Sequence, residues 1–198
     1  MTFRVALTFD AEHPDRPHHA GGTERVLDAL DAEGVRATFF LQGRWAEAYP
    51  ELARSVAERG HLIGNHSFYH ARMPLLSPTG LATDIRAAER AIVAATGVSP
   101  RPWFRCPFGA GTDDPRVREG IERLGYREVH WDVDGADWRS SVRGRGMARR
   151  MTRDAVARGD GAIVLLHPWT MATGLGLGAL ITGLRDAGAS FVRVDELA

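Results

Sequence analysis

Phe3-Arg4-Val5-Ala6-Leu7-Thr8-Phe9-Asp10 is a short apolar run that stops on an acid, and it reads as a buried strand delivering a carboxylate. Six further runs of the same kind follow: Ala37 to Leu41, Leu62 to Ile63, Trp103 to Cys106, Glu128 to Val133, Ala162 to Leu166 and Phe191 to Val194. Helical patterns separate them. Thr23 precedes the stripe Val26, Leu27 and Leu30, which Gly34 closes. Ser77-Pro78 opens a helix whose Leu81, Ile85, Ala88, Ile92 and Ala95 share one face, with Gly97 at its end. Asp114-Pro115 opens another, with Val117, Ile121 and Leu124 inward and Gly125 as its stop. About seven strands alternating with helices imply right-handed crossovers and a parallel sheet, hence an α/β fold. The pattern alone fits a distorted barrel or an open doubly wound sheet.

The 198 residues form one unit, since no stretch reads as a linker and no segment repeats. Twenty-five basic and 25 acidic side chains cancel, so the basic excess used to hold nucleic acid or anionic lipid is missing, and neither partner is expected. Cys106 is the single cysteine, which excludes an internal disulfide and a thiolate metal cluster. It reads as a small buried side chain. The start, Met1 to Asp10, has no basic leader before an apolar run; taking Met1 as the native start, the expectation is a cytoplasmic protein.

Ligands of parallel α/β folds collect at the carboxyl ends of the strands. Here those ends carry Asp10, Asn65-His66, Arg105, Asp134 and His167, nearly all ionisable. A one-sided gathering of acids, imidazoles and a guanidinium points to a site. His66 and His70 are four residues apart, which on a helical turn would put both on one face, within reach of one cation. Asp10-Ala11-Glu12 supplies alternate carboxylates, one to hold the cation and one to take a proton from water. His167, after an apolar strand, should be fixed in place and needs a carboxylate to tune it. His18-His19 are expected in a solvated loop over the site, and the basic stretch Arg143 to Arg153 on a solvated helix face.

From Phe3 to Leu197 the chain resembles the metal-dependent polysaccharide deacetylases, also called carbohydrate esterase family four or the NodB-homology domain. Five ordered motifs carry the likeness: Thr8-Phe9-Asp10, His66-Ser67-x-x-His70, Arg105-x-Pro107-x-Gly109, Asp134-x-x-Asp137-Trp138 and Leu165-x-His167. The resemblance implies a single catalytic domain over residues 1–198 with a distorted (β/α)7-type barrel. It implies one divalent cation, zinc first, with cobalt or nickel as alternatives, and hydrolysis of an N-acetyl or O-acetyl group. It makes Asp10 the general base, Arg105 its orienting partner, His66 and His70 metal ligands, His167 the general acid and Asp134 the group that tunes it. Leu165 would line the acetyl pocket, Trp138 a wall of the groove, and the Phe108 backbone N–H would help to hold the oxyanion.

The family usually has a second Asp directly after the base, on the metal; Ala11 stands there and cannot ligate. Glu12 is the expected third ligand, with Asp10 itself, His13 or a crippled site as alternatives. The expected substrate is an acetylated amino sugar or small acetylated molecule. Two rivals remain: a cyclic amide or imide hydrolase using the same metal site, and a metal- or sugar-binding module that has lost turnover.

Overall fold

A computed structural model describes residues 2–15 and 21–197; His18 and His19 lie outside the described residues. Among those residues every strand pairing is parallel. The central strand is β1 (Phe3–Ala11), buried without interruption from Val5 to Ala11. On one side it pairs with β7 (Ala162–Leu166). On the other, its upper half pairs with β2 (Thr38–Leu41) and its lower half with β8 (Ala189–Val192). Beyond β2 lie β3 (Leu62–Asn65), β4 (Trp103–Phe104) and β5 (Arg127–Glu128), and beyond β7 lies β6 (Val133–Asp134).

The expected strand Glu128 to Val133 is thus two short pieces. Its chain changes partner midway: Val129 N–H still donates to Phe104 O (2.7 Å), whereas Asp132 N–H donates to Ile163 O (2.9 Å). One passage of chain therefore links the two edges of the sheet, curling it into the distorted barrel implied by the resemblance. The last strand also begins two residues earlier than expected, at Ala189.

Alternation along β1 sorts its side chains. Val5, Leu7, Phe9 and Ala11 join the core cluster beneath the helices, where Phe9 stacks on Phe39 at 4.8 Å. Ala6 faces the barrel interior with Phe40, Val129 and Val194. Thr8, Asp10 and Glu12 continue that second row by the two-residue period of a strand. Truncating Phe9 or Phe39 to Ala would cost about 3–5 kcal/mol, the usual loss for a large core side chain. Gly64 on β3 faces Phe40, and a Cβ there would lie 2.5 Å from that ring, so only glycine lets the ring cross the barrel.

The helices follow their sequence signals with one change. Helix α1 (Gly22–Ala32) starts at Gly21, whose φ of 69° and carbonyl open it, while Thr23 is buried inside the first turn and caps nothing. Helices α2 (Gly43–Ala48) and α3 (Pro50–Glu58) fill the β2 to β3 crossover. Helix α4 (Pro78–Thr96) is capped by Ser77 Oγ, which accepts from Gly80 N–H (3.1 Å), and ends at Gly97 with φ 71°. Helix α5 (Pro115–Arg123) is capped by Asp114. Helices α6 (Gly144–Arg158) and α7 (Met171–Asp186) cover the β1–β7 side. Arg145, Arg149 and Arg153 on α6 are exposed, as expected of a solvated face. No described helix is long and apolar enough to cross a membrane.

His61, just before β3, sits at the far end of the barrel from the acids. Its Nδ1 accepts from Ala37 N–H (3.2 Å) and its ring lies 5.0 Å from Phe39. Burial pulls its pKa down to about 4, helped by Arg36 and Arg59 and opposed by Asp31. The unfolded chain takes up this proton near pH 6.5, so the neutral ring's stabilisation is complete above that pH and is lost as pH falls toward about 4. The unfolding free energy of the wild type, from urea melts, should drop over this window by up to about 3 kcal/mol more than that of His61→Gln. Parallel pH profiles would show that His61 has no such role.

Candidate active site

Glu12 lies at the mouth of the barrel, 4 % exposed, with imidazoles around both of its oxygens. Oε2 contacts His70 Nε2 and lies 3.3 Å from His66 Nε2; Oε1 lies 3.0 Å from His13 Nε2 and 3.6 Å from His167 Nε2. Burial pushes the carboxyl pKa up, but the hydrogen bonds from His13, His66 and His70 and the charge of His167 outweigh it. The group is held well below the usual carboxylate range. Ala11 faces the helices, so in this chain position 12, and not 11, shares the side of Asp10.

His66 and His70 meet, with ring centroids 4.9 Å apart, but not on a helical turn. The segment after β3 is a tight loop with left-handed backbone at Ser67 (φ 63°) and His70 (φ 58°). Asn65 Oδ1 accepts from Ser67 N–H (2.9 Å) and Ser67 Oγ from His70 N–H (2.9 Å). The buried Asp84 of α4 accepts from Phe68 and Tyr69 N–H (2.9 and 3.1 Å). These bonds hold non-glycine residues in a conformation costing on the order of 1 kcal/mol each. His66 Nδ1 lies 2.9 Å from Arg105 O. A carbonyl can only accept, so Nδ1 carries the proton, and Nε2, on the Glu12 side, is the nitrogen whose lone pair a cation would take in place of a second proton.

The donor atoms of Glu12, His66 and His70 lie within 4.8 Å of one another. A tetrahedral zinc with bonds of about 2.1 Å spaces its ligands roughly 3.4 Å apart, close to the 3.3 Å between His66 Nε2 and Glu12 Oε2, while His70 Nε2, in direct contact with that oxygen, would draw back to admit the ion. A buried carboxylate with two imidazoles therefore fits a divalent cation and leaves a coordination position open. Burial lowers the His70 pKa and so favours its neutral, ligating form. Burial also opposes a proton on His66, yet Asp10 and Glu12 raise its pKa overall. The same negative charge favours a divalent cation in the proton's place. His13, offered as a substitute ligand, is instead placed against the other Glu12 oxygen.

Asp10 Oδ1 accepts from Arg105 Nη1 (2.9 Å), and Oδ2 lies 3.5 Å from His66 Nε2. Arg105 is fully buried. It also donates to Thr8 Oγ1 (2.8 Å) and Val129 O (3.0 Å), with its guanidinium 4.1 Å from the centroid of Phe40. Removing either partner would strand a buried charge, at a cost of about 3–5 kcal/mol.

His167 corrects one assignment. Asp134 is exposed and accepts from Ala136 N–H (2.7 Å), shaping a turn. Asp137 is the acid on His167: Oδ1 lies 2.7 Å from Nδ1 and Oδ2 accepts from the His167 N–H (2.7 Å). Thr170 Oγ1 (3.0 Å) and Thr173 Oγ1 also donate to Asp137. The left-handed Ala136 (φ 46°) turns the chain back, so the acid three residues past Asp134 enters the barrel mouth. Both acids stand in the sequence motif; proximity to the strand end favoured the wrong one. Burial opposes ionisation of both groups, but their pairing lowers the Asp137 pKa and, with Glu12 and Asp10, raises that of His167 to about 9.

These groups open onto a cleft of about 300 Å³. Leu165, Trp138, Phe108 and Asp134 line it, and Trp131 and Trp169 add walls the sequence did not suggest. Phe108 holds a left-handed backbone (φ 59°) and packs on His70 with ring centroids 4.4 Å apart. Cys106 is buried, and burial pushes its thiol pKa up, which makes it inert packing.

A curled parallel α/β sheet thus gathers carboxylates, imidazoles and a buried arginine at the carboxyl ends of its strands. The family described as polysaccharide deacetylase matches residues 2–129, and the chain belongs to it. A peptidoglycan-N-acetylglucosamine deacetylase of Listeria monocytogenes is 34% identical over 194 residues, covering 98% of this chain and 38% of that protein. The chain thus spans about two fifths of the length of this relative. A chitooligosaccharide deacetylase of Bradyrhizobium is 35% identical over 166 residues, covering 84% of this chain and 71% of that one. A solved structure described as a carbohydrate esterase family 4 pseudoenzyme from Bacillus anthracis superposes with a TM-score of 0.88 at 30% identity, covering 99% of this chain and 65% of that one.

Asp137→Asn should lower the His167 pKa from about 9, followed by NMR titration of the ring, while Asp134→Asn should leave it in place. A fall with Asp134→Asn alone would reverse the assignment.

Proposed function

We propose that the protein is a divalent-cation-dependent deacetylase that hydrolyses the N-acetyl group of an acetylated amino sugar. One observation carries this reading: a cation-sized donor set lies between an arginine-held carboxylate and an aspartate-backed imidazole, all facing one aromatic cleft. The names of the relatives support an acetylated sugar as the substrate class.

Glu12, His66 and His70 would hold the cation, zinc first. When bound, it polarises the scissile carbonyl and lowers the pKa of water. Asp10, fixed by Arg105, takes the proton of the attacking water. His167 carries a proton at pH 7 because Asp137 raises its pKa, and it gives that proton to the departing nitrogen. Water is thereby split between acetate and a free amine. The Phe108 backbone N–H is assigned to the carbonyl oxygen, a role worth about 3–4 kcal/mol for one well-placed donor. A cleft of 300 Å³ is at the small end for ligand pockets and suits one acetamido sugar unit, with Trp138 and Trp131 as stacking walls.

Zinc-loaded protein should release acetate from N-acetylglucosamine oligosaccharides, and a chelator should abolish the release. Glu12→Ala should lose stoichiometric zinc as well as activity. Full zinc occupancy in that variant would remove Glu12 from the ligand set. Ring opening of cyclic imides without acetate release would replace this reading with the imide hydrolase.

A further inference from the structure

Behind Trp138 lies a second cavity of about 440 Å³, larger than the catalytic cleft and sharing Trp138 and Trp169 with it. Its rim carries Arg139 and Arg143, and its outer wall Met171 and Leu175, which are 56% and 70% exposed. We propose that this cavity receives an anionic substituent, a carboxylate or a phosphate ester, on the sugar unit next to the one that is deacetylated. The proposal rests on the deacetylase reading for its substrate, and on the following geometry for its charge.

The loop from β6 to α6 presents successive residues to different places. Asp137 turns inward to His167, Trp138 stands between the two cavities, and Arg139 sets its guanidinium 5.0 Å from the Trp138 ring centroid. Arg143 follows at the start of α6, donating to Ser140 O (2.8 Å). Neither arginine pairs with a carboxylate among the described residues. Asp137, the one acid in this cavity's wall, already accepts from His167, Thr170 and Thr173. The rim is therefore cationic.

Two further features agree. Neither helix beginning here carries an acid in its first turn. Gly144 and Gly176 let α6 and α7 approach so closely that a Cβ on either would meet the other's backbone at 2.8 Å or less. The cavity is thus held by packed helices, with cations and an apolar wall. A neutral oligosaccharide would leave the cations unused; an anionic neighbour would use them and rest its ring on Trp138.

Binding to the zinc-loaded protein tests this without requiring turnover. Calorimetry would compare neutral N,N′-diacetylchitobiose with two anionic disaccharides: one carrying a carboxylate (N-acetylglucosaminyl-N-acetylmuramic acid), the other a 6-phosphate. At least one anionic sugar should bind about tenfold tighter than the neutral one. That ratio should shrink toward one in the Arg139→Gln/Arg143→Gln double variant and in about 0.5 M salt. Arg139→Lys/Arg143→Lys should retain part of it. Equal affinities in the wild type, or a preference that survives loss of both arginines, would overturn the proposal. Acetate release from chitobiose with no anionic preference would overturn it alone; failure of every sugar to bind would overturn the deacetylase reading too.

Discussion

The site is organised by one buried carboxylate. Glu12 draws His66 and His70 to one oxygen and His13 and His167 to the other, joining groups delivered by β1, by the loop after β3 and by the end of β7. Such charges are costly to bury alone, several kcal/mol each, and persist only where partners surround them. Arg105 does for Asp10 what the imidazoles do for Glu12, and Asp137 does it for His167. Three such pairings mesh at one end of the barrel.

That arrangement follows from the strand period. Odd positions of β1 fill the layer beneath the helices, and even positions run Ala6, Thr8, Asp10 up the barrel interior toward Glu12. Ala11 therefore falls in the layer beneath the helices, and the second carboxylate of the segment, Glu12, falls on the side where Asp10 already lies. The barrel interior below is sealed by Phe40, which needs Gly64 opposite it and supports the Arg105 guanidinium above.

Much of this was legible in the residues. Short apolar runs ending on ionisable groups located the strands, the working end of the barrel and Asp10, Glu12, His66, His70, Arg105 and His167. Local conformation was harder to read. The spacing of His66 and His70 suggested a helical turn, whereas Asn65, Ser67 and Asp84 build a left-handed loop. Asp84 comes from a helix distant in sequence, so no local pattern announces it. Asp137 stood in its motif beside Asp134, and the choice depended on a positive φ at Ala136 that sequence does not display. Trp169 and the second cavity arise where two helices start side by side, a tertiary coincidence that no periodicity records.

The central claim is that Glu12, His66 and His70 converge on one cation. Anomalous diffraction at the zinc edge, from crystals of the zinc-loaded protein, measures this directly. One peak is expected about 2.0–2.2 Å from a Glu12 oxygen and from Nε2 of both histidines. A peak coordinated by His13 or Asp10 in place of Glu12, or no peak at the barrel mouth, would contradict it.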